Sequence, residues 1–513
     1  MPHHLHRHII YTLLGLCCGS AMAGEGLDPF DTGAMLPPRP ALRAEGTAGD
    51  PCADSMPNGT LNLLDVVNRA LCNNPQTREV WANSRAQAAQ VGVSKAGYLP
   101  SVSLDASGNR TKTGTAPSVD QRSVGVTLSY LLYDFGSRAA NLENSRQLLA
   151  AASATQDSTV QVIFLAAVQA FYQAQAANAA LDASIESERA AKESFAAAEA
   201  RYNAGSSTLA DKLQSQTAYS QATLNRITAD GNMKNAKGAL ANMLGLDANV
   251  NVPLVAVRGF SASRTLSPAL SPQVRGVDSV PLPSRERGWG EGEDLNVFEH
   301  DITALIEEAR QRRPDLQAAA AQVKAAEASA DAARAAGRPT ISLSASADQY
   351  NSSGINTHGS SVGVNLNVPI FSGYAPAYRV RVADAQTDAR NARFELLRSQ
   401  VALDVWTAYQ HLTTATQSLR TTADLLHSAE QSERVALGRY KAGVGNMLDV
   451  LNAQSALAGA RQQRIQSTFD WNISRATLAH AMGSLDAGLL QTLSDTGGQT
   501  PGDNPPQKND QKN

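Results

Sequence analysis

The chain has 513 residues, of which 42% are hydrophobic, 5% aromatic and 18% charged. Its 44 Lys and Arg nearly balance 47 Asp and Glu, and the net charge of −3 gives no reason to expect nucleic-acid binding or a polybasic membrane tether. This composition argues against disorder and against an enzyme core rich in Trp and Phe. Length alone predicts three or four domains of about 150 residues. We find no apolar run near the roughly 18 residues of a membrane helix beyond residue 23, so composition first suggests a soluble helical protein.

The N-terminus has the pattern of a secretory signal peptide, which we assign to residues 1–23. A histidine-rich start precedes the apolar residues 9–18, and Ala21-Met22-Ala23 matches a small-x-small cleavage site. Lipidation is the alternative, but Leu14-Gly15-Leu16 before the first cysteine lacks the small residues that lipidation needs. Residues 24–59 then form an N-terminal extension of the exported chain.

Cleavage leaves Cys52 and Cys72 as the two cysteines of the mature chain. Export to an oxidising compartment favours a disulfide between them. That bond would close a loop of about 20 residues and contribute roughly 3 kcal/mol in the chain-entropy model. Two unrelated thiols are the alternative.

The chain is a tandem repeat. Arg201-Tyr202-Asn203-Ala204-Gly205 recurs 238 positions later as Arg439-Tyr440-Lys441-Ala442-Gly443. The same offset pairs Asp211 with Asp449, Leu213 with Leu451, Gln216 with Gln454, and Gly245 with Gly483. Each copy is too long to be a solenoid unit, so we expect a duplicated domain.

The repeats set the domain boundaries. We place the first repeat at 60–246 and the second at 302–485, with a linker or insertion at 247–301 and a disordered tail at 486–513. The linker contains Ser- and Pro-rich runs, which favour a tolerated surface insertion over a partner-binding loop. What its central part, 258–293, does stays open.

Each repeat is predicted to read helix, helix, strand hairpin, very long helix and long helix. No Gly or Pro occurs from Ser137 to Ala204, and 68 residues of helix would be about 100 Å long. Residues 377–437 match this helix in the second repeat. Each very long helix ends at the Arg-Tyr-x-Ala-Gly turn, where glycine suits a left-handed cap. The chain then returns as a helix over 208–244 or 446–482, so each repeat contains a helical hairpin of coiled-coil type.

Two pairs of strictly alternating strands lie between the helices. They are predicted at 101–107, 123–130, 340–345 and 361–368, with polar hairpin tips at 111–121 and 350–360. A sheet packed on a soluble core alternates in this way, and so does a membrane barrel with apolar residues outward. Segment lengths near those of a membrane strand and aromatic residues at the strand ends favour the barrel.

Four strands cannot close a membrane barrel, because the smallest barrels have eight. Open sheet edges are not viable in lipid. The chain is therefore predicted to form an oligomer whose polar inner face lines a water-filled lumen.

No enzymatic chemistry is predicted. Gly359-Ser360-Ser361-Val362-Gly363 fits a nucleophile-elbow motif but lies in an alternating strand rather than at a strand-to-helix turn. The histidines after the signal peptide lack metal-ligand spacing. We expect no catalytic residue, no metal site and no cofactor.

Taken together, these features resemble the TolC family of outer-membrane channel proteins over nearly all of 60–485. The resemblance rests on the repeats, the strand pairs preceded by Pro100 and Pro339, the Arg-Tyr-x-Ala-Gly turns, and the strand exits Tyr133-Asp134-Phe135-Gly136 and Phe371-Ser372-Gly373. It implies an α+β membrane protein in which three chains, with four strands each, build a 12-stranded outer-membrane β-barrel. A long periplasmic α-helical coiled-coil barrel continues it.

The resemblance also implies a gate at the periplasmic end. The family links neighbouring helical hairpins through a tyrosine and an aspartate, which here are Tyr440 and Asp211. Asp449 matches an acidic ring at the entrance, and a trimer would present three such carboxylates to cations. Asn452 stands at the position of a second acidic ring, and Gly445 replaces the arginine of a second link. Alternatively, Asp211 and Asp449 only stabilise the first turns of their helices.

The family pattern further implies partners. The hairpin turns, with Arg201, Tyr202, Gly205, Arg439 and Gly443, are the expected docking positions for a periplasmic adaptor protein. The adaptor connects the channel to an inner-membrane ABC exporter or proton-driven pump, and the barrel contacts outer-membrane lipid. Localisation in the outer membrane of a Gram-negative cell, extending into the periplasm, follows.

The same resemblance favours type I protein secretion. Leu71-Cys72-Asn73-Asn74-Pro75, the Cys52/Cys72 pair and an unlipidated N-terminus look more like secretion members than multidrug-pump members. A multidrug or metal efflux pump component is the alternative. The alternative outside the class of channels is a structural coiled-coil protein of the envelope, whose strands form a soluble sheet.

Overall fold

The computed structural model describes residues 28–36, 60–112, 114–115, 118–255, 294–352 and 355–485, with side chains after 293 described from residue 302. The predicted signal peptide, Cys52, the insertion at 258–293 and the tail at 486–513 lie outside these residues. In chain order the elements are α1 (Leu63–Asn73), α2 (Pro75–Ala96), β1 (Ser101–Thr111), β2 (Val119–Tyr133), α3 (Ser137–Asn203), α4 (Leu209–Met243), α5 (Asp294–Arg312), α6 (Pro314–Ala335), β3 (Thr340–Ser352), β4 (Ile355–Asn367), α7 (Ala375–Lys441) and α8 (Met447–Ala481).

Both very long helices form as predicted. α3 and α7 each have 67 residues, about 100 Å of helix at 1.5 Å per residue. α7 exceeds its predicted range of 377–437 at both ends. Pro376 lies in its first turn, where the backbone N–H that proline lacks would have no helical partner. Gly438 lies in the last turn of α7 and does not end the helix. We call α3 with α4 the first hairpin, and α7 with α8 the second hairpin.

The four strands form one antiparallel sheet in the order β1-β2-β3-β4. Apolar residues face apolar residues across the register, as in Val102↔Leu128 and Leu343↔Val364. The apolar face is exposed in the chain: Leu104 is 65% exposed and Val362 is 78% exposed. The opposite face carries hydroxyl pairs, including Ser346 and Ser361 at 3.0 Å. The alternation predicted from sequence is confirmed, and the apolar face has no protein cover among the residues the structure describes.

The strands are longer than the alternating segments suggested. β3 and β4 extend to Ser352 and from Ile355, so the hairpin tip predicted at 350–360 is wrong for most of its residues. Backbone pairing continues there through polar residues, such as Asn351 opposite Asn356, after the apolar alternation has stopped. The alternation of apolar and polar side chains predicts only the part of a strand that has an apolar face. The full length of the strand is set by its backbone hydrogen bonds.

The chain folds as two compact units, and neither corresponds to one repeat. One unit combines Met1–Pro38, Trp81–Ser153 and Ala318–Phe394, and it contains the whole sheet. The other combines Arg39–Val80, Ala154–Gln317 and Glu395–Asn513. Each unit therefore draws segments from both repeats.

The helical unit is built on a core that α1 shares with α3 and α4. Asn62 caps α1 through a capping box with Asp65. Val66, Val67 and Leu71 of this helix are buried. These side chains pack against residues of α3, including Phe164, and against residues of α4, of α8 and of the segment that follows α4.

One helix in the described part of the chain, α3, contains an 18-residue window apolar enough to cross a membrane, with a mean hydropathy of 1.2. Of this 18-residue window, 44% is buried inside the chain. This differs from the expectation that no such run follows residue 23. The buried residues Ile163, Phe164, Ala167 and Val168 give α3 the apolar character of a core helix.

Part of the predicted N-terminal extension is packed in the sheet-containing unit. Met35 and Leu36 contact a cluster formed by Ala88, Val91 and Leu149. Segment 28–36 is thereby attached to α2 and α3.

Candidate functional site at the hairpin turns

The Arg-Tyr-x-Ala-Gly motif ends the first helix of each hairpin with a left-handed glycine. Gly205 has φ 72° and Gly443 has φ 77°. In the first turn, the amide of Gly205 donates to the carbonyl of Tyr202 at 2.9 Å, and the amide of Ser206 donates to that of Arg201 at 2.9 Å. The second turn repeats both hydrogen bonds. This pairing is a Schellman cap, which satisfies the last helical carbonyls and reverses the chain.

The second helix of each hairpin begins with a side-chain cap. Thr208 accepts from the amide of Asp211 at 3.2 Å, while a carboxylate oxygen of Asp211 accepts from the amide and the hydroxyl of Thr208 at 3.1 and 2.9 Å. Asn446 accepts from the amide of Asp449 at 2.7 Å, without a reciprocal bond. The two aspartates therefore differ: Asp211 is held in a capping box, and the Asp449 side chain is exposed.

The predicted hydrogen bond between Tyr440 and Asp211 does not form in the structure. The Asp211 carboxylate is occupied by Thr208. Tyr440 is only 7% exposed, and its hydroxyl has no hydrogen-bond partner in the chain as described. Asp211 thus forms the helix cap of the alternative interpretation, and the gate role of Tyr440 and Asp211 stays a prediction.

Arg201 takes the place beside Tyr440. Its guanidinium carbon lies 4.2 Å from the centroid of the Tyr440 ring, and its Nη2 donates to the Tyr440 carbonyl at 3.3 Å. A guanidinium over an aromatic face gains about 0.5–2 kcal/mol, more as water is excluded. The arginine of the first repeat's turn thus contacts the tyrosine of the second repeat's turn.

Further contacts join the hairpins near their turns. Ser194 of α3 and Gln454 of α8 exchange hydrogen bonds at 3.0 and 3.2 Å. Between this pair and Arg201, Ala198 packs into a small buried cluster with Tyr440 and Met447. The turn end of the helical unit is therefore held by apolar, hydrogen-bonding and cation–π contacts between the two hairpins.

The other predicted gate positions are exposed. The Asp449 carboxylate has no ion pair or hydrogen bond to a described residue, and Asn452 lies about one turn further along α8. Gly445 approaches the preceding turn closely, because a Cβ there would lie 3.1 Å from the amide nitrogen of Tyr440. The position at which the family has an arginine is thus packed against backbone.

The predicted docking residues are split by the fold. Tyr202, Arg439, Gly205 and Gly443 are exposed at the turns, whereas Arg201 is half-buried against Tyr440. Lys212 lies 5.5 Å from the ring centroid of Tyr202 and pairs with Glu199 at 2.9 Å.

Cys72 at the end of α1 is disulfide-bonded. Its predicted partner, Cys52, lies outside the described residues, and the pairing stays a prediction. Within the described part of the chain, no group of three His, Cys, Asp or Glu side chains is arranged to hold a metal ion.

A charge cluster around the buried Arg313, in the helical unit, was missed by the sequence analysis. Arg313 donates to both carboxylate oxygens of Asp315 at 2.6 and 3.1 Å and to Asp404 at 2.9 Å. Burial acts to lower the pKa of Arg313, but the two carboxylates outweigh it and raise that pKa. Burial and the charge of Arg313 lower the pKa of the nearby His480. Asp404 lies 91 positions from Arg313, and nothing in the local pattern announces their contact.

Comparisons with known proteins agree with this architecture. The family model described as "Outer membrane efflux protein" matches residues 66–246 and 305–484. The chain is 30% identical over 484 residues to Protein CyaE of Bordetella pertussis, covering 92% of this chain and 94% of that protein. It is 22% identical over 433 residues to outer membrane protein TolC of Vibrio cholerae, covering 83% and 91%.

Among solved structures, CusC superposes with a TM-score of 0.67 at 21% identity, over 86% of this chain and 99% of that one. The fold predicted from sequence, with a four-stranded share of an outer-membrane barrel and long helices, is thereby confirmed. On the extent of the family match, and on the similarity to CyaE over nearly the whole length, this chain belongs to the outer membrane efflux protein family, whose members are channels of the Gram-negative outer membrane.

Proposed function

We propose that this chain forms the outer-membrane channel of a tripartite export system. One observation supports this best: a four-stranded sheet with an exposed apolar face, a polar opposite face and two edges, in a chain whose other unit is helical. Lipid is the solvent that suits such an apolar face, and a water-filled lumen suits the polar one.

The sheet edges require further chains. β1 and β4 each have one strand neighbour, and unpaired edges are not viable in the hydrocarbon region. Channels of this family are homotrimers. Three copies, with β4 of one chain pairing with β1 of the next, close a barrel of 12 strands, above the minimum of eight.

Asp449 is the proposed charge at the entrance. It is exposed beside the hairpin turn, and no cationic side chain in the described part of the chain pairs with it. Three copies around an axis give a ring of carboxylates, which favours cations over anions. Asn452 adds no charge to that ring, so the constriction has one acidic level rather than two.

The turns are the proposed docking site for a periplasmic adaptor protein, which links the channel to an inner-membrane transporter. Gly205 and Gly443 offer exposed backbone there, and Tyr202 and Arg439 lie in the same two turns. The channel itself has no catalytic role and needs no cofactor.

Type I protein secretion is the finer proposal, with an ABC exporter as the inner-membrane partner. It is supported by the disulfide-bonded Cys72 in its Leu-Cys-Asn-Asn-Pro context, which resembles secretion members of the family. A drug or metal efflux pump is the second candidate, and the family description itself speaks of efflux.

The channel proposal is tested by fractionation and by conductance. We expect the native protein in the outer-membrane fraction, as a trimer whose gel mobility changes on heating, with ion-conducting activity in planar bilayers. A protein released with the soluble periplasmic fraction and unable to conduct ions would contradict the channel and support a structural coiled-coil protein.

Deletion of the gene separates the two export functions. Loss of a protein from the culture medium, with unchanged susceptibility to detergents and drugs, is expected for type I secretion. Increased susceptibility with an unchanged set of secreted proteins would instead support a pump component. Restoration by the intact chain is the control.

A further inference from the structure

Near the turns, the contacts between the two hairpins use one of the two equivalent residue sets that the duplication provides. Ser194 and Arg201 come from the first hairpin, and Gln454 and Tyr440 come from the second. Shifting by the repeat offset of 238 converts this set into Ser432 and Arg439 of the second hairpin, and Gln216 and Tyr202 of the first. All four residue types are unchanged by that shift.

This second set makes no equivalent contacts among the residues that the structure describes. Ser432, Arg439, Gln216 and Tyr202 are all exposed. None of their side chains has a hydrogen bond or ion pair to a described residue, and the Nζ of Lys212 lies 5.5 Å from the centroid of the Tyr202 ring. The duplication therefore provides a second set of the same four residue types, and within the described part of one chain that set lacks equivalent contact partners.

The apolar part of the contact shows the same asymmetry. Met447 is 1% exposed and Tyr440 is 7% exposed, because both pack against α3. Their repeat equivalents, Leu209 and Tyr202, are 52% and 37% exposed. The first hairpin thus presents to solvent an apolar surface whose equivalent is buried in the second hairpin.

We propose that these residues form the contact between neighbouring copies of this chain: Arg439 covers Tyr202 of the next chain, and Ser432 bonds to its Gln216. The inference rests on the proposed trimer. In a closed ring of two-hairpin chains, first and second hairpins alternate. Each second hairpin therefore meets the first hairpin of the next chain on the side opposite its own partner. Repeat-equivalent interfaces then use repeat-equivalent residues.

The partner chemistry is specific. The surface of the first hairpin needs a guanidinium, a small hydroxyl and a flat apolar helix at the spacing found on α7, and α7 of a second copy carries all three at Arg439, Ser432 and Ala436. At the turn end, the same four residue types then form the contact between hairpins of one chain and the contact between hairpins of neighbouring chains.

Cross-linking tests the inference. Two double variants, S432C/Q216C and S194C/Q454C, are treated in the native, oxidised channel with a short bismaleimide. Cys72 does not react because it is already in a disulfide. We expect S432C/Q216C to give covalent dimers and trimers on denaturing gels. S194C/Q454C should react within one chain, remain a monomer, and yield a linked peptide pair by mass spectrometry. The four single variants measure background.

The outcomes separate this interface from the channel proposal. A native trimer in which S194C/Q454C is linked, but S432C/Q216C gives no dimer, would overturn the interface and leave the channel standing. A chain that is monomeric in native detergent solution, and does not conduct, would overturn both. Linked S432C/Q216C within single chains would also overturn the interface, because these residues would then meet without a second copy.

Discussion

Arg201, at the end of one very long helix, covers the ring of Tyr440 at the end of the other, with 4.2 Å between the guanidinium carbon and the ring centroid. The same arginine donates to the backbone carbonyl of Tyr440. A gate that opens by separating the hairpins has to break this contact. It stands where the family resemblance implied a bond from the tyrosine hydroxyl to Asp211.

Two substitutions distinguish the ring contact from the hydroxyl contact. We expect Tyr440→Phe to leave single-channel conductance unchanged, because the ring and its guanidinium partner remain. Arg201→Gln removes the cation and should raise conductance or open probability by releasing a contact of about 0.5–2 kcal/mol. The measurement is single-channel recording in planar bilayers.

Arg189→Gln is the matched control, since Arg189 lies on the same helix and, among the described residues, forms an ion pair with Glu186 alone at the surface. The opposite result, an open Tyr440→Phe channel and a closed Arg201→Gln channel, would contradict the ring contact. It would support a link between the Tyr440 hydroxyl and Asp211.

Asp449→Asn tests the acidic ring. Removing the exposed carboxylate should lower cation-over-anion selectivity, measured from reversal potentials in a salt gradient, and should weaken block by divalent cations. Asp211→Asn is the comparison, because that carboxylate is engaged by Thr208 and its loss should cost about 1 kcal/mol of cap stability with little change in selectivity. Equal effects of the two variants, or none, would contradict the ring.

Gly483→Ala should destabilise the helical unit. Gly483 has φ 72°, and an added Cβ would lie 3.1 Å from the backbone nitrogen and Cα of Arg313. The left-handed conformation alone costs about 1–2 kcal/mol with a side chain. Gly205→Ala isolates that cost, since Gly205 has the same φ of 72° and open space around its Cβ position. In thermal melts followed by helical circular dichroism, Gly483→Ala should melt below Gly205→Ala, and equal melting temperatures would remove the packing argument.

His480 should make the helical unit acid-sensitive. Burial, and then the charge of Arg313, lower its pKa below the ordinary value of 6.5, whereas Asp315 and Asp404 partly oppose the shift. The unfolded chain therefore binds a proton more readily than the folded chain. The stability contribution is complete above about pH 6.5 and is lost as the pH falls towards the folded pKa.

We expect His480→Gln to reduce the fall in melting temperature between neutral and mildly acidic pH. His427→Gln is the control at an exposed position of the second hairpin. An identical pH dependence in wild type and His480→Gln would show that other groups carry the acid response.

Local patterns were sufficient for the elements and the class of fold. Alternation from Ser101 to Ser107 reported a strand because one face is apolar, and the run without Gly or Pro after Ser137 reported a helix because nothing breaks its hydrogen bonds. Contacts between distant residues were not predictable in this way. The pairing of Arg313 with Asp404 depends on how the helices pack, and the contact of Arg201 with Tyr440 depends on which of two identical motifs faces the other.

The pairing of β2 with β3 has a consequence for how the chain reaches its folded state. Gln121 pairs with Ser352, so the central ladder of the sheet joins segments far apart in sequence, from different repeats. Such non-local pairing slows folding because a long loop must close before any contact rewards it. Until β3 has emerged, β2 offers an unpaired edge and an apolar face to other chains, a form prone to aggregation. For this chain, the interval between translocation of the first strand hairpin and translocation of the second is therefore the stage of membrane delivery most exposed to aggregation.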